Sequence, residues 1–570
     1  MTGPALPNGP DDGPDPSSPS WRHAGALLAA CLAAQGVERV FCIPGESFLA
    51  ALDGFLDTGV DVVVARQEGG AAMMAEATGK LTGAPGVAFV TRGPGATNAS
   101  AGVHVAFQDS TPMVLFVGQV ASDQRDREAF QEVDLRAMFG PLAKWAAEID
   151  RADRIPEYVS RAFHVARTGR PGPVVLALPE DVLSGPTTGR PAPAATEPSG
   201  RAAEGDVDAL IERLERAERP LVVVGGGGWT ARAAEALGRF ADALDLPVGA
   251  AFRRQDHLDN RHRCYVGQVG LGVDPALAAR VREADAILAL GARLGETTTS
   301  GYTLLASPVP AQDLLHVHPD PSELGRVYRP TLAVVARAAA VAEQLASRAT
   351  RDGGGRRGRR RDDDWLAGAR ADHEAWRVPE PTPGALRMER VIAHLGQTLP
   401  DDAILANGAG NYAAWLHRYH CYLGWRTQLA PTSGSMGYGL PAAIAAKLLH
   451  PGREVVCLAG DGCFQMVSQE FGTACERGAA VIALVADNGM YGTIRMHQQR
   501  AYPGRPSGTA LANPDFAALA RAHGGFGATV RADEELAPAL AEARASGRPA
   551  ILHLVLDPAA LSPRVRLEGH

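Results

Sequence analysis

Short apolar segments that end in glycine and aspartate recur along the chain, and the stretches between them are long enough for a helix. Residues 221–224 run into four consecutive glycines, residues 454–459 into Gly-Asp-Gly, and residues 481–486 into Asp-Asn-Gly. Apolar runs of this kind, separated by helices of about ten or more residues, indicate βαβ units whose parallel sheets are covered by helices on both faces. The sequence therefore predicts an α/β protein built from doubly wound parallel sheets.

The length of the chain and two breaker-rich segments divide it into three consecutive domains. A single hydrophobic core rarely grows beyond roughly 250–300 residues, so a chain of 570 residues needs more than one. Two segments rich in Pro, Gly and charge cannot bury enough apolar surface to order themselves. The predicted units are a disordered tail (1–20), an N-terminal domain (21–183), a linker (184–205), a central Rossmann-like domain (206–350), a linker (351–384), a C-terminal domain (385–557) and a tail (558–570).

Charge and composition exclude several classes of partner. The 56 Lys and Arg against 64 Asp and Glu give a net charge of -8, so neither nucleic acid nor an anionic membrane is expected as a partner. The basic run after residue 351 leads directly into three Asp and carries no aromatic residues for base stacking, which indicates a solvated linker. No apolar stretch reaches the roughly 20 residues that span a bilayer. The N-terminus lacks the order of a signal peptide, and seven scattered Cys without a CxxC pair indicate reduced thiols and a cytoplasmic location.

The most specific pattern lies in the third domain. Asp461 ends one predicted strand and Asn488 ends the next, and neighbouring parallel strands bring such ends to one edge of the sheet. Hard oxygen ligands of this kind suit Mg²⁺, which usually keeps open positions for phosphate oxygens. Glycines beside Asp461 let the backbone approach a diphosphate closely. A lone Gly-Asp-Gly is an ordinary turn, but the paired strand ends favour a site for Mg²⁺ and a diphosphate.

This stretch resembles the thiamine diphosphate fingerprint, GDG followed after about two dozen residues by NN. The chain is similar to the acetolactate synthase group of thiamine diphosphate enzymes from about residue 21 to about residue 557. Asp487 stands where the first Asn is usual, and Asn488 matches the metal-ligating one. The resemblance implies thiamine diphosphate and Mg²⁺ as cofactors, a pyrimidine-binding N-terminal domain and a diphosphate-binding C-terminal domain. It implies Asp461, Asn488 and the backbone carbonyl of Met490 as the metal ligands.

A second segment, ARQEGGAAMMAEATGKLTG, contains Glu68. An acid that opens a helix is commonly just a partner of the helix dipole. However, the segment resembles the part of acetolactate synthases whose Glu activates the cofactor by hydrogen-bonding its pyrimidine ring nitrogen. The resemblance also assigns Met436, in TSGSMGYGLPAA, as the apolar wedge between the cofactor rings, although a buried Met is more often plain core. Glu68, Gln119 and Met436 are the predicted catalytic residues.

Further residues are placed at the site by the same resemblance. The residues predicted to bind the cofactor are Pro44, Gly45, Glu46, Glu68, Gly434, Met436, Gly460, Asp461, Gly462, Asn488, Met490, Tyr491 and Gly492. The substrate pocket is predicted to include Arg92, Phe107, Gln119, Phe130, Gln131 and His497. In the family, the acid that corresponds to Glu68 and the acid that corresponds to Asp461 reach one site from different subunits. The resemblance therefore implies a homo-oligomer, a dimer at least and a tetramer as an alternative, with the site at the subunit interface.

The sequence of the middle domain leaves open whether a flavin cofactor is bound. Acetolactate synthases usually hold a structural FAD there, and VVVGGGGW at 222–229 could approach a dinucleotide. It is not a GxGxxG fingerprint, and no suitable acid follows it. Of the family's RFDDR element only Arg293 remains. The sequence favours the absence of FAD.

The leading function is decarboxylation of a 2-oxo acid, with pyruvate as the expected donor, and transfer of the acyl unit to a carbonyl acceptor. The alternatives are a specialised acyloin-forming or acyl-transferring enzyme with another acceptor, and a non-ligating 2-oxo acid decarboxylase. Such decarboxylases typically carry a His-His pair, and this chain has no adjacent His residues. The interpretation of the chain as a flavin or nicotinamide oxidoreductase would rest on the four glycines at 225–228 alone. A catalytically dead binding protein would need Glu68 or Asp461 replaced, and neither is.

Two departures from the family concern the acceptor. His497 stands nine residues after Asn488, where the family has a Trp that shapes the acceptor pocket, and Glu180 replaces a Lys near the substrate channel. His497 on its own could equally be a solvent-facing helical residue. Together the changes predict weaker selection for a second anionic, alkyl-bearing 2-oxo acid. Arg92 or Arg495 could supply compensating positive charge.

Overall fold

A computed structural model describes residues 21–198, 200–351 and 364–567. Three six-stranded sheets follow one another along the chain, and all of their strands pair in parallel. Helices alternate with the strands and cover the sheets. The predicted α/β architecture of three consecutive doubly wound sheets is confirmed. Among the described residues, no helix has both the length and the apolar character needed to cross a membrane.

The N-terminal sheet has the strand order β2-β1-β3-β4-β6-β5. Its strands are β1 Arg39–Cys42, β2 Asp61–Val64, β3 Gly86–Val90, β4 Met113–Gln119, β5 Trp145–Glu148 and β6 Pro173–Pro179. Its helices are α1 Ala24–Ala34, α2 Leu49–Phe55, α3 Glu68–Thr82, α4 Gly93–Asp109, α5 Leu135–Phe139, α6 Ile155–Arg167 and α7 Glu180–Ser184. The chain leaves β1 toward one side and β3 toward the other. A crevice therefore opens beyond the carboxyl ends of β1 and β3, where doubly wound sheets bind ligands.

The middle sheet has the order β12-β11-β10-β7-β8-β9. Its strands are β7 Pro220–Val224, β8 Val248–Ala250, β9 Tyr265–Gln268, β10 Ala286–Leu290, β11 Asp313–His318 and β12 Leu332–Val335. Its helices are α8 Glu204–Arg216, α9 Ala231–Leu244, α10 Pro275–Glu283, α11 Ala338–Arg351 and α12 Trp365–Trp376. The four glycines predicted to follow a strand come directly after β7.

The C-terminal sheet has the order β14-β13-β15-β16-β18-β17. The order in which strands are added changes side between β13 and β15, because β14 lies on one side of β13 and β15 on the other. Its strands are β13 Ile404–Asn407, β14 Gln428–Leu429, β15 Val455–Gly460, β16 Ile482–Asp487, β17 Phe526–Val530 and β18 Ala550–Val555. Its helices are α13 Met388–Thr398, α14 Tyr412–Tyr419, α15 Gly439–Leu449, α16 Asp461–Gln465, α17 Glu470–Glu476, α18 Gly492–Ala501, α19 Phe516–Ala522 and α20 Asp533–Ser546.

The N-terminal and C-terminal domains share one hydrophobic core. Small side chains of α3, such as Ala71 and Ala75, belong to the same buried cluster as Ala442 and Ala446 of α15. Because these residues are small, the two helices can approach closely and bury their backbones as well as their side chains.

The structure differs from the predicted boundaries in three places. Part of the linker predicted over 351–384 is helix α12, because the Trp365 side chain is 4% exposed and its Nε1 donates to the Pro220 carbonyl at 2.8 Å. Within the predicted tail 558–570, Leu561 and Leu567 are buried. Helix α8 begins at residue 204, one residue before the predicted linker ends. The predicted tail 1–20 and residues 352–363 lie outside the described residues.

Candidate cofactor site and active site

The predicted metal ligands lie at the carboxyl edge of the C-terminal sheet. β15 and β16 pair in parallel with Gly460 opposite Ala486, so the residues that follow both strands emerge side by side. A cavity of about 250 Å³ lies there, at the point where the strand order reverses. The predicted residues that line it are Gly434, Met436, Gly460, Asp461, Gly462, Asn488, Met490, Tyr491 and Gly492. The structure thus brings together the C-terminal residues that are predicted to bind the cofactor.

The Asp461 carboxylate lines this cavity, and Asn513 links it to the neighbouring carboxylate of Asp487. The Asp461 side chain belongs to a residue that is 3% exposed, and Asn513 Nδ2 donates to Asp461 Oδ2 and to Asp487 Oδ1, each at 2.7 Å. The other Asp487 oxygen lies 2.8 Å from His553 Nε2. The sequence analysis missed Asn513 and His553. They lie far from the Gly-Asp-Gly segment in sequence, in stretches that carry no motif of their own.

The electrostatics of this pair suit a divalent cation. Burial raises the pKa of Asp461 to about 6, and the neighbouring charge of Asp487 adds to the rise. Burial acts on Asp487 as well, but hydrogen bonds from His553, from the Gly489 N–H at 2.9 Å and from Asn513 outweigh it and lower the pKa of that carboxyl. The two acidic side chains share one amide hydrogen-bond donor, and a bound Mg²⁺ would stabilise their negative charges.

The loop after β16 is held by backbone hydrogen bonds. The Tyr491 N–H donates to the Thr509 carbonyl at 2.8 Å, and the Leu511 N–H donates to the Gly489 carbonyl at 2.8 Å. The Met490 carbonyl accepts one hydrogen bond, from the Gly492 N–H at 2.9 Å. A carbonyl oxygen has a second lone pair, so Met490 keeps acceptor capacity for a metal.

Two glycines let the backbone form the cavity wall. A Cβ at Gly462 would lie 2.5 Å from the ring of Tyr491, and a Cβ at Gly460 would lie 2.7 Å from the ring of Tyr412. Any side chain at either position would displace an aromatic wall. The close approach leaves backbone N–H groups near the cavity surface, which fits a diphosphate.

Met436 and Cys463 complete the cavity. Met436 lines it and packs against the core cluster that contains Tyr412. The backbone N–H of the following residue, Gly437, and the Tyr412 hydroxyl both donate to Cys463 Sγ at 3.2 Å. Cys463 therefore fixes the segment that carries Met436, a role that the sequence did not reveal.

Glu68 lies in the crevice of the N-terminal sheet. It is the first residue of α3, and its Oε2 accepts a hydrogen bond from Asn98 Nδ2 at 2.9 Å. A Cβ placed on Gly95 would lie 3.6 Å from the other carboxylate oxygen, so the side chain reaches the first turn of α4. Asn98 is a further residue that the sequence analysis missed.

One chain does not bring the two halves of the predicted site together. Every residue that lines the C-terminal cavity in the described part of the chain belongs to the C-terminal domain. Glu68, in contrast, lies at the edge of the N-terminal sheet. The cavity thus lacks the predicted catalytic acid when only a single chain surrounds it.

Arg92 is held between two carboxylates beside Glu68. Its Nη1 donates to Glu46 Oε1 at 2.8 Å and its Nη2 to Glu180 Oε2 at 2.6 Å, while the Arg92 side chain is 8% exposed. The three residues follow β1, β3 and β6, whose carboxyl ends lie at one edge of the sheet. Arg92 is therefore neutralised by its neighbours and cannot by itself compensate for the Lys that Glu180 replaces.

Gln119 supports the wall of the crevice. Its Nε2 donates to the Val133 carbonyl at 2.9 Å, and its Oε1 accepts from the N–H of the next residue at 2.9 Å. The Gln131 carbonyl accepts a hydrogen bond from the first residue of α4 at 2.9 Å, which ties the same segment to the crevice. Phe130 is 73% exposed. These contacts assign Gln119 to positioning this segment.

The remaining predicted residues are dispersed. Pro44 and Gly45 follow β1, and a Cβ on Gly45 would lie 2.6 Å from the Thr91 side chain. Phe107 lies under the guanidinium of Arg170, 4.9 Å from the ring centroid. His497, on α18, lines a second and larger cavity between the middle and C-terminal domains.

The glycine loop of the middle domain packs against protein. Trp229 Nε1 donates to the Gly225 carbonyl at 2.9 Å, and a Cβ on Gly226 would lie 2.2 Å from the Gly291 carbonyl oxygen. Arg293 pairs with Glu323 at 3.2 Å. The Gly225 carbonyl and Arg293 are thus engaged within the chain, whereas Gly226, Gly227 and Gly228 line a cavity. The segment does not match a dinucleotide-binding fingerprint.

Comparison with known proteins agrees with this geometry. Residues 22–138, 207–345 and 408–554 match, in turn, the N-terminal TPP binding domain, the central domain and the C-terminal TPP binding domain of thiamine pyrophosphate enzymes. The chain is 30% identical to the acetolactate synthase large subunit of Haemophilus influenzae, over 91% of each chain. It is 31% identical to the catabolic acetolactate synthase of Raoultella terrigena, over 94% of this chain and 95% of that one. It is 32% identical to the acetolactate synthase of Mycobacterium bovis, over 90% of this chain and 84% of that one.

Proposed function

The chain belongs to the acetolactate synthase family of thiamine pyrophosphate enzymes, and from this premise we propose that it decarboxylates pyruvate and transfers the acyl unit to a carbonyl acceptor. The observation that carries the proposal is the cavity at the end of β15 and β16. It combines the buried carboxylate of Asp461 with a glycine-lined wall. When bound, thiamine diphosphate supplies a nucleophilic carbon and an electron sink for the decarboxylation.

The chain's own residues would hold this cofactor together with Mg²⁺. We propose Asp461, Asn488 and the Met490 carbonyl as the metal ligands, because they converge on one cavity with oxygen donors. Asn513 and His553 orient the acidic pair through hydrogen bonds. The role of such partners is to fix the direction of each ligand oxygen before a metal arrives.

Glu68 is proposed to bind the pyrimidine end. One of its oxygens is held by Asn98, which leaves the other available to share a proton with a ring nitrogen. A positioned carboxyl group that gives and takes this proton acts as a general acid–base group. Met436, in the wall of the C-terminal cavity, would fix the bend of the cofactor by packing.

We propose a homodimer or a homotetramer in which a second copy completes each site. The support is that Glu68 does not line the cavity of its own chain, whereas the chemistry needs both ends of one cofactor.

The seven cysteines are free in the structure, which supports the expected cytoplasmic location. Small-molecule substrates are the expected partners.

A non-ligating decarboxylase is not favoured. The relatives that match nearly the whole chain are acetolactate synthases, and the chain has no His-His pair. The test is incubation of the purified protein with pyruvate, Mg²⁺ and thiamine diphosphate, with the products identified by mass spectrometry. We expect release of CO₂ together with acetolactate, and neither product when Mg²⁺ is removed by a chelator. CO₂ with acetaldehyde and no ligated product would contradict the proposal.

We further propose that FAD is not a resident cofactor, because the glycine segment does not match a dinucleotide-binding fingerprint and Arg293 is paired with Glu323. The purified protein is expected to show no flavin absorption, or far less than one FAD per chain. The measurement is a visible spectrum followed by release of any flavin with acid. A yellow preparation with one FAD per chain would refute this expectation.

A further inference from the structure

The residues between β14 and α15 carry Met436 to the wall of the cofactor cavity. Residues 430–438, called the Met436 segment below, lie outside helices and strands, and Gly434 and Met436 line the cavity. Such a segment does not fix its own backbone, because it lacks the hydrogen-bond ladder of a helix or a strand. Contacts from other elements must therefore decide where the Met436 side chain lies.

Asp109, at the end of α4, holds the first half of the Met436 segment. One carboxylate oxygen, Oδ1, accepts hydrogen bonds from the Thr432 N–H at 2.7 Å and from the Thr432 hydroxyl. The other oxygen accepts from Lys80 Nζ, and the same ammonium group donates to the Ala430 carbonyl at 3.2 Å. Because Asp109 and Lys80 belong to the N-terminal domain, side chains of one domain fix a segment of another.

Glu76, in the middle of α3, holds the other end of the Met436 segment. The Tyr438 hydroxyl donates to Glu76 Oε2 at 2.6 Å, and the Thr111 hydroxyl donates to Glu76 Oε1 at 2.7 Å. Lys80, one helical turn further along α3, lies 3.2 Å from Glu76 Oε1. Tyr438 follows Met436 by two residues, so the two carboxylates of the N-terminal domain hold the segment on both sides of Met436.

The charged side chains of this network are buried together. Glu76 and Asp109 are buried, and Arg254 of the middle domain donates to the Asp109 carbonyl at 2.7 Å. Burial raises the pKa of Asp109, but the positive charges of Lys80 and Arg254 outweigh burial and lower that pKa. Removing one member of the network would leave a buried charge without its partner. The network therefore favours a single arrangement of the Met436 segment.

Helix α3 reaches two different sites. Glu68 is its first residue and lies in the crevice of the N-terminal sheet. Glu76 lies about 12 Å further along the helix axis, because each residue adds about 1.5 Å. Under the proposed function Glu68 completes the site of another copy, whereas Glu76 touches the segment that lines the cavity of its own chain.

We propose that Glu76 and Asp109 are positioning residues for the cofactor cavity of their own chain. Through the hydroxyl groups of Tyr438 and Thr432 they fix the wall that Met436 forms. The inference rests on the proposed function and adds two residues that act on the site through other residues. It assigns to α3 one residue that serves the site of a second copy and one that serves its own.

The position of the segment is tested without cofactor, by hydrogen–deuterium exchange read by mass spectrometry. Tyr438→Phe keeps the buried ring and removes only the hydroxyl that donates to Glu76. Thr432→Val keeps the shape of the side chain and removes the hydroxyl that donates to Asp109. In both variants we expect the peptide that covers residues 430–438 to exchange about tenfold faster, because each loses a hydrogen bond to a charged group. Residues 460–462 should exchange at the wild-type rate.

Two further variants control this measurement. Thr432→Ser keeps the hydroxyl and should exchange as the wild type does. Tyr328→Phe removes the hydroxyl of a buried Tyr in the middle domain that has no hydrogen-bond partner in the described part of the chain, and it should change neither exchange nor turnover. Unchanged exchange over residues 430–438 in both Tyr438→Phe and Thr432→Val would refute the inference, whatever their activity.

Turnover separates positioning from cofactor retention. We expect the kcat of CO₂ release from pyruvate to fall about tenfold in Tyr438→Phe, in line with the loss of one hydrogen bond to a charged group. The content of thiamine diphosphate should stay at the wild-type level, because the proposed diphosphate and metal contacts follow β15 and β16. A loss of cofactor that equals the loss of activity would contradict a positioning role. If the wild type releases no CO₂ from pyruvate, the proposed function fails, and the exchange experiment still decides the inference.

Mixed dimers show which cavity Glu76 serves. A mixture of chains inactivated by Glu68→Gln and by Asp461→Ala has one intact site, built from Asp461 of the first chain and Glu68 of the second. Glu76→Gln keeps the size of the side chain and removes its charge. Placed in the Glu68→Gln chain, it should lower the recovered kcat, because this chain supplies the cavity. Placed in the Asp461→Ala chain, it should leave the recovered kcat unchanged, because this chain supplies only Glu68.

The other outcomes of the mixing experiment are equally informative. The opposite pattern would show that Glu76 acts along α3 on Glu68, and equal losses in the two mixtures would show a general structural role. Either result overturns the inference. If the parent mixture of Glu68→Gln and Asp461→Ala recovers no activity, the proposal that a second copy completes each site fails instead.

Discussion

Glu68→Gln is expected to reduce the turnover of pyruvate by at least about 100-fold, the usual contribution of a positioned acid–base group. Glutamine keeps the size of the side chain and can still accept the Asn98 hydrogen bond. It lacks the carboxyl proton that a pyrimidine ring nitrogen would share. The measurement is the initial rate of CO₂ release at saturating pyruvate, thiamine diphosphate and Mg²⁺.

Cofactor retention should remain normal in the Glu68 variant, because the proposed diphosphate and metal contacts lie in the C-terminal domain. Glu38→Gln is the matched control: it makes the same chemical change in an exposed side chain that precedes β1, at the opposite edge of the same sheet. It should turn over pyruvate at the wild-type rate. Wild-type activity in Glu68→Gln would remove Glu68 from the proposed mechanism.

Asp461→Ala is expected to abolish the Mg²⁺-dependent retention of thiamine diphosphate. The substitution removes the buried carboxylate that faces the cavity and accepts from Asn513. A diphosphate cannot remain in a low-dielectric cavity unless a cation neutralises its charge. Retention is measured as moles of thiamine diphosphate per chain after gel filtration in buffer that contains Mg²⁺.

Asp487→Asn provides the contrast within the same acidic pair. Asp487 accepts from His553, Asn513 and the Gly489 N–H, so its oxygens are already engaged. An amide oxygen can keep some of these bonds, and Asn is the usual family residue there. We expect this variant to retain far more cofactor than Asp461→Ala. Full cofactor content in Asp461→Ala would contradict the assignment of the metal site.

Mixing the two inactive variants controls for misfolding in both. If each site combines Glu68 of one copy with Asp461 of another, a mixed dimer of Glu68→Gln and Asp461→Ala contains one intact site and one doubly substituted site. Activity should then reappear after the variants are unfolded and refolded together. A site contained within one chain would remain inactive in every mixture.

Local sequence was sufficient for the architecture and for one half of the site. The apolar runs that end in glycine and aspartate report strands that are buried on both faces, because a parallel sheet covered by helices leaves no polar side to alternate with. Asp461 and Asn488 could be paired from the sequence since the carboxyl ends of adjacent parallel strands must share an edge. The need for glycine at 460 and 462, in contrast, comes from the rings of Tyr412 and Tyr491, which are distant in sequence.

The tertiary structure alone decided which groups are already engaged and which lack a partner. Asn513 joins two carboxylates from 52 and 26 positions away, and Glu180 reaches Arg92 from 88 positions away. Such contacts depend on how loops at a sheet edge converge, and no periodicity in the sequence encodes that convergence. Arg253 is a further case. An arginine is ordinarily exposed or ion-paired, and only the packing of two domains around it shows that this one is 5% exposed and donates to the Pro431 carbonyl.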